Sequence, residues 1–189
     1  MISCDVVVVC VPPSACCAWT ALRDHARSTL HAVVEGALCH VYVRAPHPPG
    51  VHAKVPDSPL AQTISSQYGN EWFQAAYAGG RVARLWHHLR SQSLSLFRRT
   101  LHAALRERLG IRVPADAEHR AHYWPCAYHA WRPAPRFDLA RAVRHAVEPN
   151  PESLPGVYLA GEAFSSHQAW MEGALETADR AVPEVRLGT

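Results

Sequence analysis

The sequence predicts a mixed fold of the α/β (or α+β) class, and three observations support this prediction. A run of mostly β-branched residues at 5–11, closed by two prolines, is typical of a strand buried on both faces. Apolar residues recur at helical spacing through residues 91–109, and Gly110 follows as a C-cap. A short strand at 156–160 leads through a short polar loop into a final helix. Strands and helices are therefore mixed along the chain, and no internal repeat is visible.

The other elements follow from the same periodicities. Asp138 is predicted to cap a short helix, because its side chain can accept a hydrogen bond from the first turn. The final helix is expected to end at Pro183, since proline lacks the N–H that a helix interior needs. The predicted helices cover residues 18–34, 81–89, 139–147 and 168–182, and the further strands cover 38–43, 63–67, 71–78 and 121–128.

The composition is that of a folded protein and excludes several classes of function. Among 189 residues, 48% are apolar and 19% are charged, which favours a packed core over disorder. The net charge is only +3, and the arginines that carry it are scattered, so no nucleic-acid partner is expected. Six cysteines and 13 histidines are dispersed without zinc-ligand spacing, and no metal site is predicted.

The first eleven residues are rich in apolar side chains, but we do not expect them to form a signal peptide. They lack a positively charged start, Asp5 precedes the apolar run, and the run ends at Pro12. No stretch reaches the roughly 18–20 apolar residues that a membrane span requires. We therefore expect an intracellular, cytoplasmic protein with no membrane span, in which the cysteines are reduced.

The segment with the most chemical information runs from the strand at 156–160 through Gly161 and Glu162 into the last helix. The N–H groups of a first helical turn have no intrahelical partner, and the helix dipole is positive there, so this junction can hold an anion. Gly173 lies inside the helix, where glycine costs about 1 kcal/mol relative to alanine. Close approach of another group would explain it. The alternative is a capped surface helix packed on a sheet.

This segment resembles the C-terminal signature of the flavin-containing amine oxidase family. The family pattern is a hydrophobic strand, Gly-Glu, a variable loop, and then Gly-aromatic-Met/Val-Glu-Gly-Ala. Gly161 and Glu162 match the first part, and residues 170–174 (Trp-Met-Glu-Gly-Ala) match the second. Ala169 replaces the usual glycine. Residues 5–13, 36–42 and 123–133 resemble other family segments, so the similarity covers nearly the whole chain.

The resemblance implies part of an FAD-binding Rossmann-like domain together with a mixed-sheet substrate domain. Residues 1–15 would be the end of a cofactor-domain strand, 16–120 the substrate domain, and 121–189 the C-terminal cofactor-binding segment. The Gly-x-Gly-x-x-Gly motif of the family's N-terminal βαβ unit does not occur among the ten glycines. We therefore expect a C-terminal fragment that depends on a missing N-terminal half or on a partner chain.

The resemblance also implies which residues contact the FAD cofactor. In such enzymes Met171 would direct its backbone N–H at the N1–C2=O edge of the flavin. Glu162 and Gly161 would line the path of the ribityl chain and pyrophosphate, and Gly173 and Trp170 belong to the same helix start. A flavin-tethering cysteine of some members is replaced here by Ala127, so non-covalent FAD is expected.

Three residues are implied as catalytic, and one of them, Trp170, also belongs to the helix start. Tyr128 and Trp170 match the aromatic pair that flanks the substrate amine, although both, with Trp131, could instead be core aromatics. His40 stands where many members have a lysine that holds a water near flavin N5. A neutral histidine could hold that water, or His40 could be an ordinary core or surface residue.

The expected function is FAD-dependent oxidation of a primary amine or amino acid, with O₂ as the second substrate. Hydride would pass to the flavin, O₂ would be converted to peroxide, and the imine would hydrolyse. Two alternatives remain open: a non-catalytic or split-enzyme binding subunit that keeps the fold, and an FAD-dependent desaturase or isomerase. The chain alone is expected to be inactive.

Overall fold

The structure is a computed structural model. It describes residues 7–20, 30–47, 51–65, 71–132, 138–147 and 155–187. The chain divides into two compact units. We call Gly36–Ala127 the central unit, and we call Met1–Glu35 together with Tyr128–Thr189 the terminal unit. The mixture of strands and helices, with one parallel and one antiparallel set of strands, confirms the predicted fold class.

The central unit is built on a five-stranded sheet. Its spatial order is β3-β4-β5-β2-β6, and β2 pairs with β5 in antiparallel orientation. The strands are β2 (Val33–Arg44), β3 (His52–Val55), β4 (Ala61–Ile64), β5 (Trp72–Gly79) and β6 (Glu118–Trp131). The β2 side chains at odd positions from 37 to 43 are buried, and those at even positions are partly or fully exposed. One face of the sheet therefore belongs to the core, and the other is open.

Two helices cover the buried face of this sheet. They are α2 (Gly80–Gln92) and α3 (Leu94–Leu109), and Trp86 of α2 meets Phe97 of α3 at 5.5 Å in the core. Ser93 separates them with an extended backbone and caps α3 by accepting a hydrogen bond from the Leu96 N–H. The predicted start at residue 91 was therefore wrong by three residues. Gly110, with φ of 68°, ends α3 as predicted.

In its described residues, the terminal unit contains a parallel strand pair, three helices of nine residues or fewer and the long last helix. The strands β1 (Val7–Val9) and β7 (Val157–Leu159) pair in parallel. The helices are α1 (Pro13–Cys16), α4 (Leu139–Val147), a 3₁₀ turn (Glu162–Phe164) and α5 (Met171–Leu187). The Arg141 N–H donates to the Asp138 carboxylate, which confirms the predicted cap.

Three expectations for the terminal unit were wrong. Val8 is 45% exposed rather than buried, because β1 pairs only with β7 among the residues that the structure describes. The last helix begins at Met171, since Ala169 has a φ of 68° that no right-handed helix allows. It also continues past Pro183 to Leu187, because a proline removes a single i→i−4 hydrogen bond and need not end the helix.

Parts of other predictions lie outside the described residues. Of the predicted helix at 18–34, residues 21–29 are not described, Leu30 and His31 are helical, and Val33 already begins β2. The predicted strand at 63–67 corresponds to Ala61–Ile64, and its residues 66 and 67 are not described. In the described ranges, we find no helix long and apolar enough to cross a membrane.

Candidate flavin-facing helix start

The junction between β7 and α5 depends on a glycine with a special backbone conformation. Gly161 has a φ of 135°, which residues with side chains rarely adopt. Its N–H donates to the Thr177 hydroxyl at 2.8 Å, two turns into α5. That hydroxyl also lies 3.0 Å from the Ala174 carbonyl, so Thr177 joins the end of the strand to the body of the helix.

Gly173 is required because the loop before α5 passes very close to the helix at this position. A Cβ atom at this position would lie 2.2 Å from Ser165 Oγ and 2.3 Å from the His167 carbonyl oxygen. Real Cβ contacts are never so short, so only glycine lets the loop cross α5 here. The close approach that the sequence predicted is confirmed, and the group that approaches is the preceding loop. A contact of Gly173 with the cofactor stays a prediction.

The Glu162 carboxylate is committed to contacts inside the terminal unit. One oxygen accepts a hydrogen bond from His129 Nδ1, and the other accepts from the Ala169 N–H at 2.6 Å. The imidazole of His129 is buried, and its Nε2 lies 3.9 Å from a Glu35 oxygen that also accepts from the Ser14 N–H. Glu162 thus holds the turn that precedes α5, and His129 holds Glu162.

The end of β6 holds the middle of the same loop. Trp131 donates its indole N–H to the Ser165 carbonyl at 2.8 Å and its backbone N–H to Gln168 Oε1 at 2.5 Å. Gln168 in turn donates to the Ala163 carbonyl at 2.6 Å. Trp131 packs against a buried apolar cluster, so it is a structural aromatic, as the alternative interpretation allowed.

A polar cluster attaches the loop to the second turn of α5. The Glu176 carboxylate accepts hydrogen bonds from the Ser166 hydroxyl and N–H at 2.7 and 3.0 Å and contacts His167 Nδ1 at 3.1 Å. Burial raises the pKa of Glu176, but the hydrogen bonds from Ser166 and His167 outweigh it and lower the pKa below its usual value. The carboxylate is therefore ionised at neutral pH.

The residues at the start of α5 are exposed although they are apolar. Trp170 is 70% exposed and Met171 is 81% exposed, and Leu175 follows on the next turn at 63%. Trp170 is therefore not a core aromatic. Tyr128, in the same unit, is half-buried near the end of β6. Hydrogen bonds thus hold the start of this helix from three sides, and its first turn presents an apolar surface to the exterior.

His40 belongs to the central unit, where it lies among aromatic rings. Its Nδ1 is 3.2 Å from the Tyr42 hydroxyl, and its ring contacts Tyr77 and Trp124. Burial lowers the pKa of His40, and the nearby His122 lowers it further, so the imidazole is neutral at pH 7. The role of His40 in holding a water stays a prediction.

Sequence reasoning identified the residues of the helix start and missed the ones that support it. Gly161, Glu162, Trp170, Met171 and Gly173 all lie in one continuous stretch that the structure brings together. His129 and Glu35 were not predicted, because their contacts with each other and with Glu162 join distant parts of the chain. The signal available for His129 was its position next to Tyr128, in the segment that resembles the family.

The family is decided by comparison with known families. The family model described as Flavin containing amine oxidoreductase matches residues 1–186. The chain belongs to this family. The resemblance seen in the last helix is thereby confirmed over almost the whole chain. A comparison with curated proteins finds no match.

A solved structure has a similar fold. It is that of a protein from Exiguobacterium sp. 255-15 described as a protoporphyrinogen oxidase, with a TM-score of 0.72 and 13% sequence identity. The match covers 98% of this chain and 42% of that one, so this chain spans less than half the length of the similar protein. At this identity the likeness shows the fold alone.

The residues at the α5 start fit the flavin that the family contains. A planar ring needs hydrogen-bond donors at its polar edge and an apolar surface beside it, and the first turn of α5 with Trp170 and Met171 offers both. The Glu162 side chain is turned toward His129 and Ala169, so its part in such a site would lie with its backbone.

Proposed function

We propose that this chain is the C-terminal part of an FAD-dependent oxidoreductase of the amine oxidase type. Its reaction is the oxidation of a primary amine or amino acid, with O₂ as electron acceptor and release of peroxide. The observation that carries the proposal is the start of α5, which three sets of hydrogen bonds hold in place while Trp170 and Met171 remain exposed.

The terminal unit would bind the cofactor. The Met171 N–H and the positive end of the α5 dipole would stabilise negative charge on the bound flavin. Gly161 and the backbone of Glu162 lie at the strand end that would follow the ribityl chain. Gly173 acts indirectly, because it lets the loop pack against α5. When bound, FAD supplies the hydride acceptor, and it is held without a covalent bond because Ala127 carries no thiol.

The substrate would be positioned by aromatic residues. Trp170 and Tyr128 flank the amine and exclude water, which favours the neutral, reactive form of the amine. His40, neutral at pH 7, holds a water by hydrogen bonding. In this proposal the terminal unit belongs to the cofactor domain and the central unit, Gly36–Ala127, to the substrate domain, for which the sequence predicted residues 16–120.

Two other functions have support from specific observations. The exposure of Val8 on a two-stranded sheet favours a subunit that is completed by another polypeptide. The similar solved structure is named as an oxidase of protoporphyrinogen and not of an amine, which favours a flavin-dependent desaturase as second candidate.

The proposal is tested by measuring flavin binding and peroxide formation. We expect the purified chain alone to bind FAD weakly and to oxidise no amine. Addition of the dinucleotide-binding segment of a family member, as a separate polypeptide, should tighten FAD binding by about tenfold or more. It should also allow peroxide formation from amines.

The control uses two exposed tryptophans of the terminal unit. Trp170→Leu should abolish the gain in activity, whereas Trp19→Leu, which changes a 43% exposed residue, should leave it intact. Absence of FAD binding under both conditions would refute the proposal. Consumption of an unsaturated substrate without amine oxidation would favour the desaturase.

A further inference from the structure

The positive charge of the chain is concentrated on the two helices that cover the central sheet. Between Gly80 and Leu109, which α2 and α3 span together with Ser93, the sequence has seven arginines and one acidic residue, Glu107. The remainder of the chain has 12 basic and 15 acidic residues. The helix pair therefore carries a formal charge of +6 and the remainder a charge of −3, so the arginines are not evenly scattered.

One side of α2 carries arginines and a leucine. Arg81, Arg84 and Leu85 follow one another at spacings of three and four residues from the first, which places them on one side of the helix. All three are exposed. The buried residues of this helix, Ala83 and Trp86, lie on the opposite side, in the core. The exposed side of α2 therefore points away from the sheet.

The exposed side of α3 has the same composition. Leu96, Arg99 and Arg106 are separated by three and seven residues and are exposed, whereas Phe97 and Leu101 on the other side are buried. Both helices share one core with the sheet, so the exposed sides of both point away from it. We call the six exposed residues of the two helices the basic face; they are Arg81, Arg84, Leu85, Leu96, Arg99 and Arg106.

The four arginines of the basic face form no ion pair with a carboxylate among the residues that the structure describes. Arg99 donates to the Ser95 hydroxyl at 3.2 Å, which leaves its charge uncompensated. Arg44 of β2 is a contrast within the same unit, because it pairs with both Glu71 and Glu118. The guanidinium groups of the basic face can therefore bind anions from outside the chain.

Leucines are exposed between these arginines. Leu85 is 42% exposed and Leu96 is 39% exposed, and Leu94 at the start of α3 is 50% exposed. A single exposed leucine is ordinary on a protein surface. Leucines that alternate with several arginines are typical of helices that lie on a lipid surface, because such helices combine charge attraction with burial of apolar area.

An anionic bilayer fits both kinds of side chain. Guanidinium groups pair with phosphate through two parallel hydrogen bonds, and long arginine side chains keep their charge in the headgroup layer while leucines enter the layer below. A nucleic acid also offers phosphates, but it has no apolar layer for the leucines. The basic face has no aromatic side chain that could stack on bases.

We propose that the basic face docks this chain on the surface of an anionic lipid bilayer, with its four arginines on lipid phosphates and its leucines in the headgroup boundary. This contact is peripheral and uses only the exposed sides of α2 and α3. It goes beyond the proposed function and does not depend on flavin binding.

The test is co-sedimentation of the purified chain with lipid vesicles. We expect binding to phosphatidylcholine vesicles that contain about 30% phosphatidylglycerol, and binding about tenfold weaker or less to pure phosphatidylcholine. A rise in salt from about 0.1 M to about 0.5 M should weaken the binding, because it screens exposed charges. Equal binding to both kinds of vesicle, or binding to neither, would overturn the inference.

A pair of double variants tests whether the arginines act by their position. Arg84→Gln combined with Arg99→Gln should weaken vesicle binding by about 25-fold, which is about fivefold for each arginine. The matched control combines Arg141→Gln with Arg144→Gln, which removes the same charge from exposed positions of α4 and should leave binding nearly unchanged. Equal losses in the two double variants would show that only the net charge matters, against the inference.

A third double variant tests the leucines. Leu85→Ser combined with Leu96→Ser should weaken vesicle binding by about tenfold, although it leaves the charge unchanged. An excess of a short DNA duplex should not release the wild-type chain from the vesicles. Full release by the duplex, or unchanged binding of the leucine variant, would indicate a general site for polyanions and would refute docking on lipid. Circular dichroism spectra identical to that of the wild type show that each variant is folded.

Discussion

At the scale of single residues, Ala169 holds a left-handed backbone conformation with a φ of 68°. This conformation is unfavourable for every residue except glycine, asparagine and aspartate, by about 1–2 kcal/mol. The Glu162 carboxylate stabilises it by accepting a hydrogen bond from the Ala169 N–H. Because alanine replaces the family's usual glycine here, the backbone at this position is strained, and contacts of the surrounding loop keep it in place.

Replacement of Ala169 by glycine should relieve this strain. We expect Ala169→Gly to raise the free energy of unfolding by about 1 kcal/mol, as measured by urea denaturation. The control is Ala174→Gly in the first turns of α5, which should lower it by about the same amount. Equal destabilisation by the two variants would show that Ala169 is not strained.

Gly173 is the second residue whose identity the backbone dictates. Gly173→Ala should destabilise the protein by about 1–3 kcal/mol, although alanine is the better helix former. The reason is that the new methyl group would meet the His167 carbonyl oxygen, a backbone atom that cannot rotate away. Leu175→Ala, at a 63% exposed position of the same helix, should change the stability by less than about 0.5 kcal/mol. A neutral or stabilising Gly173→Ala would contradict the close crossing.

At the scale of elements, both ends of the helix α4 could be predicted correctly from the sequence. The existence of α5 could also be predicted, but its ends could not. Asp138 gives a local capping signal, and the apolar period of residues 139–147 is complete. The start of α5 depends instead on the backbone of Ala169, and its course beyond Pro183 depends on the turns before it. Local patterns predict elements whose ends are determined locally.

The pairing of elements was harder to predict than their existence. The sequence indicated a strand at residues 5–11, but nothing in it identified Val157–Leu159 as the partner. The same limit applied to the candidate site. Its continuous part, from Gly161 to Gly173, was visible in the sequence, whereas His129 is linked to Glu162 by a long-range hydrogen bond.

A histidine pair joins α3 to β6 and should make stability depend on pH. His102 Nε2 and His119 Nε2 are 2.8 Å apart, and Arg98 lies close to both. Burial lowers the pKa of each histidine from its usual 6.5; Arg98 adds to the shift of His102, and His102 and Arg98 add to that of His119. The folded state therefore takes up protons less readily than the unfolded state.

The consequence is a loss of stability on acidification. The contribution of the pair is complete above about pH 6.5 and decreases as the pH falls below that value, because the unfolded chain is protonated first. We expect the free energy of unfolding to be lower at about pH 5.5 than at about pH 7.5, and His102→Gln to reduce this difference. A stability that rises on acidification, or an unchanged pH dependence in His102→Gln, would contradict the arrangement.

At the scale of the whole molecule, the family could be recognised from the sequence, and the substrate could not. Residues 170–174 carry a motif specific enough to indicate the family that the comparison confirms. The aromatic rings around His40, in contrast, come from three strands that are widely separated in sequence, so no local pattern contains them. The limits of the central unit, Gly36 and Ala127, likewise became visible only in the structure.

The central claim is that the start of α5 faces the flavin ring. The most direct measurement is the backbone amide NMR spectrum of the chain during addition of lumiflavin, which carries the ring system without the ADP half. The account predicts that the largest shifts occur at the amides of Met171 and Glu172, with the indole N–H of Trp170. Shifts confined to other regions, or none at these three groups at saturating lumiflavin, would contradict it.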